Sequence, residues 1–345
     1  MKNVLYTGHF LAAHRGTVSP SERVAHHLQG QGFRINITST KKSRYSRLLD
    51  IIICSAMFKY TINHIDVFSG RSFLVAEIAS LVGKIRRKKI FLTLHGGMLP
   101  EFYQRHPVRI KKVFKRADKV FSPSLYLKRF FEKEGFGVEY LPNPIDLAKF
   151  PYLEVYEPAN KLVWVRAFSP IYNPTLAVET LLHVRQVFPD CTLTMIGPDK
   201  GELNKVKALM HQHHLEEAIE ITGPVPNEEL YRYYHSHAVF LNTTSYESFG
   251  MAVMEAAACG IPVVSTPAGE IPLLWENGKD MLITSCWSAE SMADRVIQLL
   301  TNRYLANEIR QNARRKAEKY DWEEIKSRWI EILKGPDNSN LNNQN

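Results

Sequence analysis

One stretch, residues 242–270, constrains the fold of this chain more than any other: NTTSYESFGMAVMEAAACGIPVVSTPAGE. Small polar residues open it, and strong helix formers fill the run 250–259. The segment 262–266 is β-branched and is bounded by Gly260 and Pro267, which predicts a short buried strand. The stretch therefore predicts a loop, a helix that begins near Phe249 or Gly250, and a buried strand.

The start of this helix is a candidate ligand site. Its first N–H groups have no partner within the helix and lie at the positive end of the helix dipole, which suits phosphate or sugar oxygens. These groups belong to Ser248, Phe249, Gly250 and Met251. Glu247 and Glu255 bracket the site, and a carboxylate there suits a hydroxyl-rich ligand such as a ribose or a hexose. The alternative is an ordinary amphipathic helix with both carboxylates in water. The position of Glu255 within the apolar run VMEAAA is evidence against this alternative.

The spacing Glu247-x7-Glu255, with Phe249-Gly250 between and ACGIPVV after it, resembles the signature of the retaining glycosyltransferases of family 4, the group 1 glycosyltransferases. The resemblance implies the GT-B fold, an α/β architecture of two facing Rossmann-like domains with parallel sheets and a cleft between them. It also implies that Glu255 holds the donor ribose and that Glu247 lies near the donor sugar. The amides from Phe249 to Met251 would contact the sugar and the phosphate.

Length and composition fit this class. The chain has 345 residues, enough for two domains with their own cores, and 45% hydrophobic residues indicate a globular protein. No run approaches the roughly 18 apolar residues that span a bilayer, and the first ten residues do not resemble a signal peptide, so we expect a cytoplasmic protein. The four cysteines lack disulfide or zinc spacing, which predicts reduced and buried thiols at Cys54, Cys191, Cys259 and Cys286.

Charge is distributed unevenly. Residues 1–150 contain 26 Lys and Arg against 10 Asp and Glu, whereas the remainder contains 18 against 25. A basic first half suits nucleic acid, an anionic membrane surface or an anionic substrate. We do not expect nucleic-acid binding, because no nucleic-acid module or stacking platform accompanies the charge.

Two basic stretches, 84–89 and 105–119, carry much of this charge. In the second, Val108, Val113 and Phe114 predict an apolar side. The cationic side would hold Arg109, Lys111, Lys112, Lys115 and Arg116. Such a helix suits peripheral binding to the cytoplasmic face of an anionic membrane, and a plain solvated helix is an equal alternative.

The first half alternates between strands and helices, which predicts a parallel sheet with helices on both faces. The predicted strands are 4–6, 33–38, 49–54, 65–68, 90–94 and 119–122. A helix is predicted over 21–29, with Ser19 or Ser21 as its cap and Pro20 in its first turn. Ligands of such sheets bind beyond the carboxyl ends of the strands.

Two segments of the first half resemble positions of the family that face the donor sugar and the acceptor. Arg15-Gly16 stands where members commonly carry a Gly-Gly pair, so Gly16 is assigned to the donor and Arg15 to the acceptor side. His95 directly follows the predicted strand 90–94 and is assigned to approach the donor sugar, with Gly96 and Gly97 on the acceptor side. Ordinary loop roles for Arg15 and His95 remain the alternative.

The second half restarts the pattern with strands at 162–166, 192–197 and 219–222 and helices at 174–188 and 203–214. Arg166 ends its strand and matches the family's diphosphate-binding arginine. The lysine that usually follows is missing from RAFSPIYNP, and Lys200 is our candidate for its role. By resemblance the backbone beside Val225 meets the nucleobase. Asn227 is predicted to cap a helix over 228–234.

We expect five segments. The resemblance implies an N-terminal acceptor-side domain at 1–147, a donor-binding domain at 161–320 and a helix at 321–334 that crosses back to the first domain. The prolines of 148–160 predict a linker, and the polar composition of 335–345 predicts a disordered tail. LPNPID at 141–146 resembles the end of the family's first domain. HQHH at 211–214 lacks partners at ligand spacing, so we expect no metal site.

The resemblance thus implies a retaining transferase that moves a hexose-type sugar from a nucleotide diphosphate sugar, as co-substrate and without a further cofactor, to a saccharide or lipid-linked hydroxyl acceptor. Two alternatives stay open. One is a non-catalytic nucleotide-sugar-binding or membrane scaffold subunit, which the missing lysine favours. The other is a GT-B enzyme of different chemistry, a phosphorylase or an epimerase.

Overall fold

The computed structural model describes residues 1–8, 10, 19–41, 43–157 and 159–335. The chain forms two compact units, one from Met1–Pro144 with the segment that begins at Trp322, and one over Ile145–Asp321. Each unit contains a six-stranded sheet whose paired strands all run parallel. The predicted α/β class with parallel sheets is confirmed. The boundary between the units falls at Pro144, three residues before the predicted one.

The sheet of the first unit has the strand order β2-β1-β3-β4-β5-β6. Its strands are β1 Lys2–Thr7, β2 Phe33–Thr38, β3 Ile62–Val67, β4 Lys89–Leu94, β5 Lys119–Ser122 and β6 Glu139–Tyr140. Its helices are α1 Pro20–Gln29, α2 Arg44–Met57, α3 Phe73–Ile85, α4 Leu99–Arg105, α5 Pro107–Phe114, α6 Leu125–Lys133 and, at the end of the chain, α14 Trp322–Lys334. The capping prediction is confirmed, because Ser19 and Glu22 form a capping box in front of α1.

One predicted strand of the first unit is wrong. Residues 49–54 lie within helix α2, not in a strand. The run LLDIIIC is apolar enough for either structure, and the helix buries Ile51 and Cys54 on one side while Leu49, Ile52 and Ile53 stay exposed. The β-branched residues that suggested a strand therefore lie mostly on the outer face of a helix.

The second unit has the strand order β12-β11-β10-β7-β8-β9. Its strands are β7 Lys161–Val165, β8 Thr192–Ile196, β9 Ile219–Gly223, β10 Val239–Asn242, β11 Val263–Ser265 and β12 Leu282–Ile283. Its helices are α7 Pro174–Arg185, α8 Leu203–Gln212, α9 Leu230–Ser236, α10 Met251–Cys259, α11 Ile271–Leu274, α12 Ala289–Thr301 and α13 Arg303–Glu318.

Helix α10 is the central helix of this unit. From Ala252 to Cys259 all its residues are buried, in a core cluster that includes Phe240, Val263 and Ile271. A helix that is apolar all round belongs in an interior. The alanines of α10 let neighbouring elements approach the helix closely, because their side chains are small.

Two further predictions need correction. Cys286 is exposed, whereas the other three cysteines are buried as predicted. The basic stretch 105–119 is not one amphipathic helix: α5 covers only part of it, Val108 is exposed, and Arg109 forms an ion pair with Glu77. Within the described residues, no helix is both long and apolar enough to cross a membrane.

Candidate functional site at the edge of the second sheet

Arg166 stands at the carboxyl edge of the second sheet, directly after β7. Its backbone N–H donates to the carbonyl of Ile196 at 3.0 Å, which continues the pairing with β8 by one residue. Gly197 follows at φ +148°, and a Cβ there would overlap the carbonyl oxygen of Arg166. Only glycine fits this position, so the backbone of the edge is fixed by the close approach of these two residues.

The Arg166 side chain forms a buried ion pair. Its Nη2 donates to Glu247 Oε2 at 2.6 Å and to Asn242 Oδ1 at 3.1 Å, and the two charged side chains are 11% and 9% exposed. Burial alone lowers the pKa of Arg166, but Glu247 and the other acidic groups nearby, Tyr172, Tyr234 and Glu255, together outweigh it and the pKa is raised. Arg166 therefore stays ionised inside the unit.

Arg166 also keeps a donor for a ligand. Its Nε is buried and has no hydrogen-bond acceptor among the residues that the structure describes. A buried donor without an acceptor costs about 1–3 kcal/mol, more when the group is charged. An anionic oxygen placed here would remove that cost, which makes this edge suitable for phosphate.

A network of hydroxyl groups fixes the loop after β10. Thr243 donates to the carbonyl of Tyr172 at 2.6 Å and accepts from Trp164 at 2.8 Å, while Thr244 donates to the carbonyl of Ile171 at 3.2 Å. Arg166 lies over the ring of Tyr172 at 5.3 Å, a cation–π contact. Tyr172 lies in the stretch where the family's lysine is missing, and sequence reasoning did not single it out.

Glu247 is held through its backbone as well as its carboxylate. Its carbonyl accepts from Glu270 N at 3.0 Å, and Gly269, at φ +51°, packs so closely that a Cβ there would overlap the same carbonyl. The predicted segment Ala268-Gly269-Glu270 thus meets the loop that carries Glu247. The two loops lie together because β10 and β11 are paired neighbours in the sheet.

Gly250 is the N-cap of α10 in the left-handed conformation, at φ +88°, and the helix begins at Met251. The start near Gly250 predicted from the sequence is confirmed to within one residue. Ser248 and Met251 are half-buried, whereas Phe249 is buried and packs edge-on against Tyr320 with ring centroids 5.7 Å apart. The glycine is required by its backbone conformation, since a Cβ there would meet only ordinary contacts.

Glu255 lies one turn into α10 and is 4% exposed, so the solvated-helix alternative does not describe it. Asn227 Nδ2 donates to its Oε1 at 3.3 Å. The predicted cap by Asn227 is wrong, because α9 begins at Leu230 and the Asn227 side chain turns to Glu255 instead. Val225, two residues before Asn227, packs against the core cluster that contains Phe249.

Lys200 is less closely tied to the site. Its backbone N–H donates to the carbonyl of Phe168 at 2.9 Å, which keeps it near the end of β7. The residue is exposed, and its side chain has no ion pair within the described part of the chain. The structure therefore places Lys200 at the same edge as Arg166 without a contact between their side chains.

The first unit has its own polar cluster at the carboxyl edge of its sheet. His95 Nε2 lies 3.1 Å from Asp66 Oδ1, and the imidazole stacks on Phe68 at 5.5 Å. Ser21 donates to the same carboxylate. Burial raises the pKa of Asp66, but the charge and hydrogen bond of His95, with smaller contributions from His64 and Ser21, together outweigh it and the pKa is lowered. Asp66 was missed from the sequence because it reads as one residue of a buried strand.

Four other residues of the first half are predicted to belong to the site: Arg15, Gly16, Gly96 and Gly97. Gly96 and Gly97 form the turn between β4 and α4, where the carbonyl of Gly96 accepts from Leu99 N at 2.9 Å. Arg15 and Gly16 lie outside the described residues. Within the described part of the chain, no group of three or more His, Cys, Asp or Glu has the arrangement of a metal site.

Residues 148–316 match the family model described as "Glycosyl transferases group 1". This region covers about half of the chain and includes Arg166, Glu247 and Glu255. Through it the chain belongs to the group 1 glycosyltransferases, the family that the sequence motif resembles.

Sequence relatives agree with this assignment, and solved structures show the fold. The chain is 24% identical over 191 residues to a phosphatidylinositol N-acetylglucosaminyltransferase subunit from Arabidopsis thaliana. The aligned region covers 54% of this chain and 42% of that relative. The chain thus spans less than half the length of this relative. Sucrose-phosphate synthase from Thermosynechococcus elongatus superimposes with a TM-score of 0.80 at 16% identity, over 97% of this chain and 98% of the other. Anabaena HepE, solved with UDP and glucose, superimposes with a TM-score of 0.76 at 14% identity, over 97% of this chain and 100% of the other. The fold is GT-B.

Proposed function

We propose that this chain is a glycosyltransferase that moves a hexose-type sugar from a nucleotide diphosphate sugar to a hydroxyl acceptor, with retention of configuration at the anomeric carbon. The observation that carries the proposal is the buried Arg166–Glu247 pair beside the N-cap of α10. It combines a cation with a free Nε donor, a backbone anion site and a carboxylate for sugar hydroxyls. Few ligands other than a sugar diphosphate need all three.

Each residue has a proposed role. Arg166 and the amides around Gly250 bind the diphosphate and stabilise the charge that develops on it as the glycosidic bond breaks. Glu255 accepts hydrogen bonds from the ribose, with Asn227 holding the carboxylate in place. Val225 lies beside the base, and Glu247 and Ser248 contact the donor sugar.

The proposed reaction is a front-face substitution. The acceptor oxygen bonds to the anomeric carbon on the side from which the diphosphate leaves, and the leaving phosphate oxygen takes the acceptor proton. By the family resemblance His95 is assigned to the donor sugar, with Asp66 holding its imidazole, and Gly16 is assigned to the donor phosphates. Arg15, Gly96 and Gly97 belong to the acceptor side. Lys200 assists at the diphosphate in place of the missing lysine. Because protein cations serve the diphosphate, we expect turnover in the presence of a metal chelator.

Donor and acceptor classes follow from the relatives. UDP-sugars are the first donors to test, because HepE was solved with UDP and glucose. A saccharide or lipid-linked acceptor fits the relative that is named for phosphatidylinositol. With such an acceptor the chain would act in the cytoplasm at an anionic membrane face, for which the basic residues of the first unit provide complementary charge.

The test is nucleotide release. The protein is incubated with a panel of nucleotide sugars and with saccharide and lipid acceptors, and free nucleotide diphosphate is measured. We expect acceptor-dependent release that Arg166→Ala lowers by about 10²–10³ and that Arg232→Ala, at an exposed arginine of the same unit, leaves unchanged. Donor binding without turnover under all conditions would favour a non-catalytic subunit. Release that depends on inorganic phosphate, or turnover without acceptor, would indicate a phosphorylase or an epimerase.

A further inference from the structure

Two neighbouring helices of the first unit expose apolar side chains to solvent. On α2 the exposed residues include Tyr45, Leu49, Ile52, Ile53 and Met57, which lie at positions i, i+4, i+7, i+8 and i+12 of the helix. These intervals place them on one face of the helix. The outer face of α2 therefore carries an apolar stripe where a solvated helix would carry polar residues.

Helix α3 repeats this pattern. Leu74, Leu81 and Ile85 are 42%, 45% and 72% exposed and lie seven and four residues apart, on one face. Arg86 Nη1, just beyond α3, donates to the carbonyls of Ser55 and Phe58 at 2.8 and 2.9 Å, which ties the ends of the two helices together. The two stripes, which we call the apolar face, thus belong to adjacent helices in fixed positions. Exposed apolar side chains repeated along two neighbouring helices are typical of a binding surface.

A cavity of about 830 Å³ opens at the first turns of these helices. Leu48, Leu74 and Phe102 contribute apolar walls, and the cationic groups around it come from Arg47, Arg71 and Arg109. Gly70, also in the wall, is three residues beyond the end of β3. The cavity therefore lies at the carboxyl edge of the sheet, where parallel sheets bind ligands.

The arginines of the cavity differ in how they are held. Arg109 is fixed by two hydrogen bonds to Glu77, at 2.6 and 2.9 Å, and lies over the rings of Phe73 and Phe102. Arg71 is exposed and has no ion pair or hydrogen bond among the described residues. One anchored and one unengaged guanidinium beside apolar walls suit a ligand with an anionic phosphate on an apolar body.

We propose that the cavity and the apolar face form one docking site for the surface of a bilayer that contains anionic phospholipid. The cavity arginines receive a lipid phosphate, and the two stripes enter the interfacial region of the bilayer. A second copy of the chain fits less well, because a two-fold dimer places the same surface against itself and would bring like charges together without an anion. The inference rests on the proposed function, since it assigns the surface that meets a membrane-held acceptor.

Vesicle flotation tests the proposal with the full chain. Vesicles of phosphatidylcholine alone are compared with vesicles that also contain phosphatidylglycerol, at low and at high salt. We expect binding to rise about tenfold or more with the anionic lipid and to fall at high salt, because charge drives part of it. Arg71→Glu should lower binding to the anionic vesicles about tenfold, and the double variant Leu81→Ser/Ile85→Ser should lower it by at least as much.

Matched controls come from the second unit. Arg232→Glu reverses an exposed arginine and Val187→Ser removes an exposed apolar residue, and neither should change flotation. Equal flotation of all variants would overturn the proposal. A wild-type dimer that does not float, but becomes monomeric in Leu81→Ser/Ile85→Ser, would assign the face to a second copy. Release by inorganic phosphate but not by chloride of equal ionic strength would assign the cavity to a free anion.

Stabilisation by UDP, measured on the same preparations, separates this proposal from the proposed function. A chain that is stabilised by UDP but floats equally in all variants contradicts only the docking site. A chain that floats as expected but is stabilised by no nucleotide contradicts only the proposed function.

Discussion

The two units end their sheets in different ways. In the second unit the edge is an ionic and hydroxyl network with almost no exposure: Arg166, Glu247 and Asn242 bind one another, and α10 is buried on all sides. In the first unit the described part of the edge includes a comparable pair, His95 with Asp66, and the helices beside it leave leucine and isoleucine in solvent. One edge is shaped for a small polar ligand, and the other for a larger and partly apolar one.

This difference suggests how the two halves divide recognition. In the proposed function the donor is a nucleotide diphosphate sugar, which is small and highly charged, so its site would need fixed donors and cations such as those in the dense core of the second unit. In the proposed docking site the ligand is the surface of a bilayer, which is large, and an apolar face with scattered arginines would be adequate for it. The following predictions test this contrast, from the largest expected effect to the smallest.

The Arg166–Glu247 pair should dominate both the stability and the activity of the second unit. Arg166→Met leaves a buried carboxylate without its cation and should lower the free energy of unfolding by about 3–5 kcal/mol. Turnover should fall by about 10²–10³ because a charge stabiliser at the diphosphate is lost. Urea unfolding and nucleotide release measure the two effects.

The double variant Arg166→Met/Glu247→Gln is the control for this pair. It removes both charges and should recover most of the stability while turnover stays low. A double variant as unstable as Arg166→Met would show that the destabilisation does not come from the unpaired carboxylate.

Backbone contact should make the loop of Glu247 sensitive to a single methyl group. Gly269→Ala should cost about 3 kcal/mol, because it adds an overlap with the Glu247 carbonyl to the strain of a left-handed alanine. Gly278→Ala has a similar positive φ but nothing within 4 Å, so only the strain of about 1–2 kcal/mol applies. Thermal unfolding compares the two, and equal losses would contradict the account of the loop.

The first unit should be the acid-sensitive half. His64 is buried against Tyr6 and Trp329, and burial lowers its pKa to about 4. In the unfolded chain this histidine binds a proton below about pH 6.5, whereas in the folded chain it stays neutral down to about pH 4. The free energy of unfolding is therefore highest above pH 6.5 and decreases as the pH falls towards 4. The loss at pH 4 amounts to about 3 kcal/mol.

Urea unfolding at pH 7 and pH 4 checks this, with His64→Phe as the variant that cannot titrate. The variant should lose about 3 kcal/mol less than wild type over this range. An identical loss in both proteins would assign the acid sensitivity to other groups.

Glu255 should matter for donor binding more than for folding. Glu255→Ala should weaken nucleotide binding by about 1.5–3 kcal/mol, the usual contribution of a hydrogen bond to a charged group. Titration calorimetry measures it, with Glu228→Ala as a control at an exposed carboxylate nearby. A loss well below this range would contradict the assignment of Glu255 to the ribose.

Sequence reasoning worked where the evidence was local. The motif at Glu247 and Glu255, the start of α10 near Gly250 and the position of Arg166 at a strand end all follow from short windows. The α/β class follows from the alternation of strands and helices. The residue roles within the site stay predictions until the experiments above are done.

It failed where distant segments decide the outcome. Residues 49–54 form a helix because that helix buries Ile51 and leaves its other apolar residues outside, which no local propensity reveals. Asn227 turns to Glu255, 28 residues away, instead of capping its own helix. Asp66 becomes part of a cluster only because β3 and β4 are neighbours in the sheet.

The most direct test of the central claim is a thermal-shift panel with UDP, GDP, ADP and CMP on wild type and on Glu255→Ala. A ligand at about 100 times its dissociation constant adds roughly 2.7 kcal/mol of stability. We predict a clear upward shift with one nucleotide, UDP first among them, that is reduced in Glu255→Ala. No shift with any nucleotide or nucleotide sugar, in a protein that unfolds cooperatively, would contradict the claim that the edge around Arg166 is a donor site.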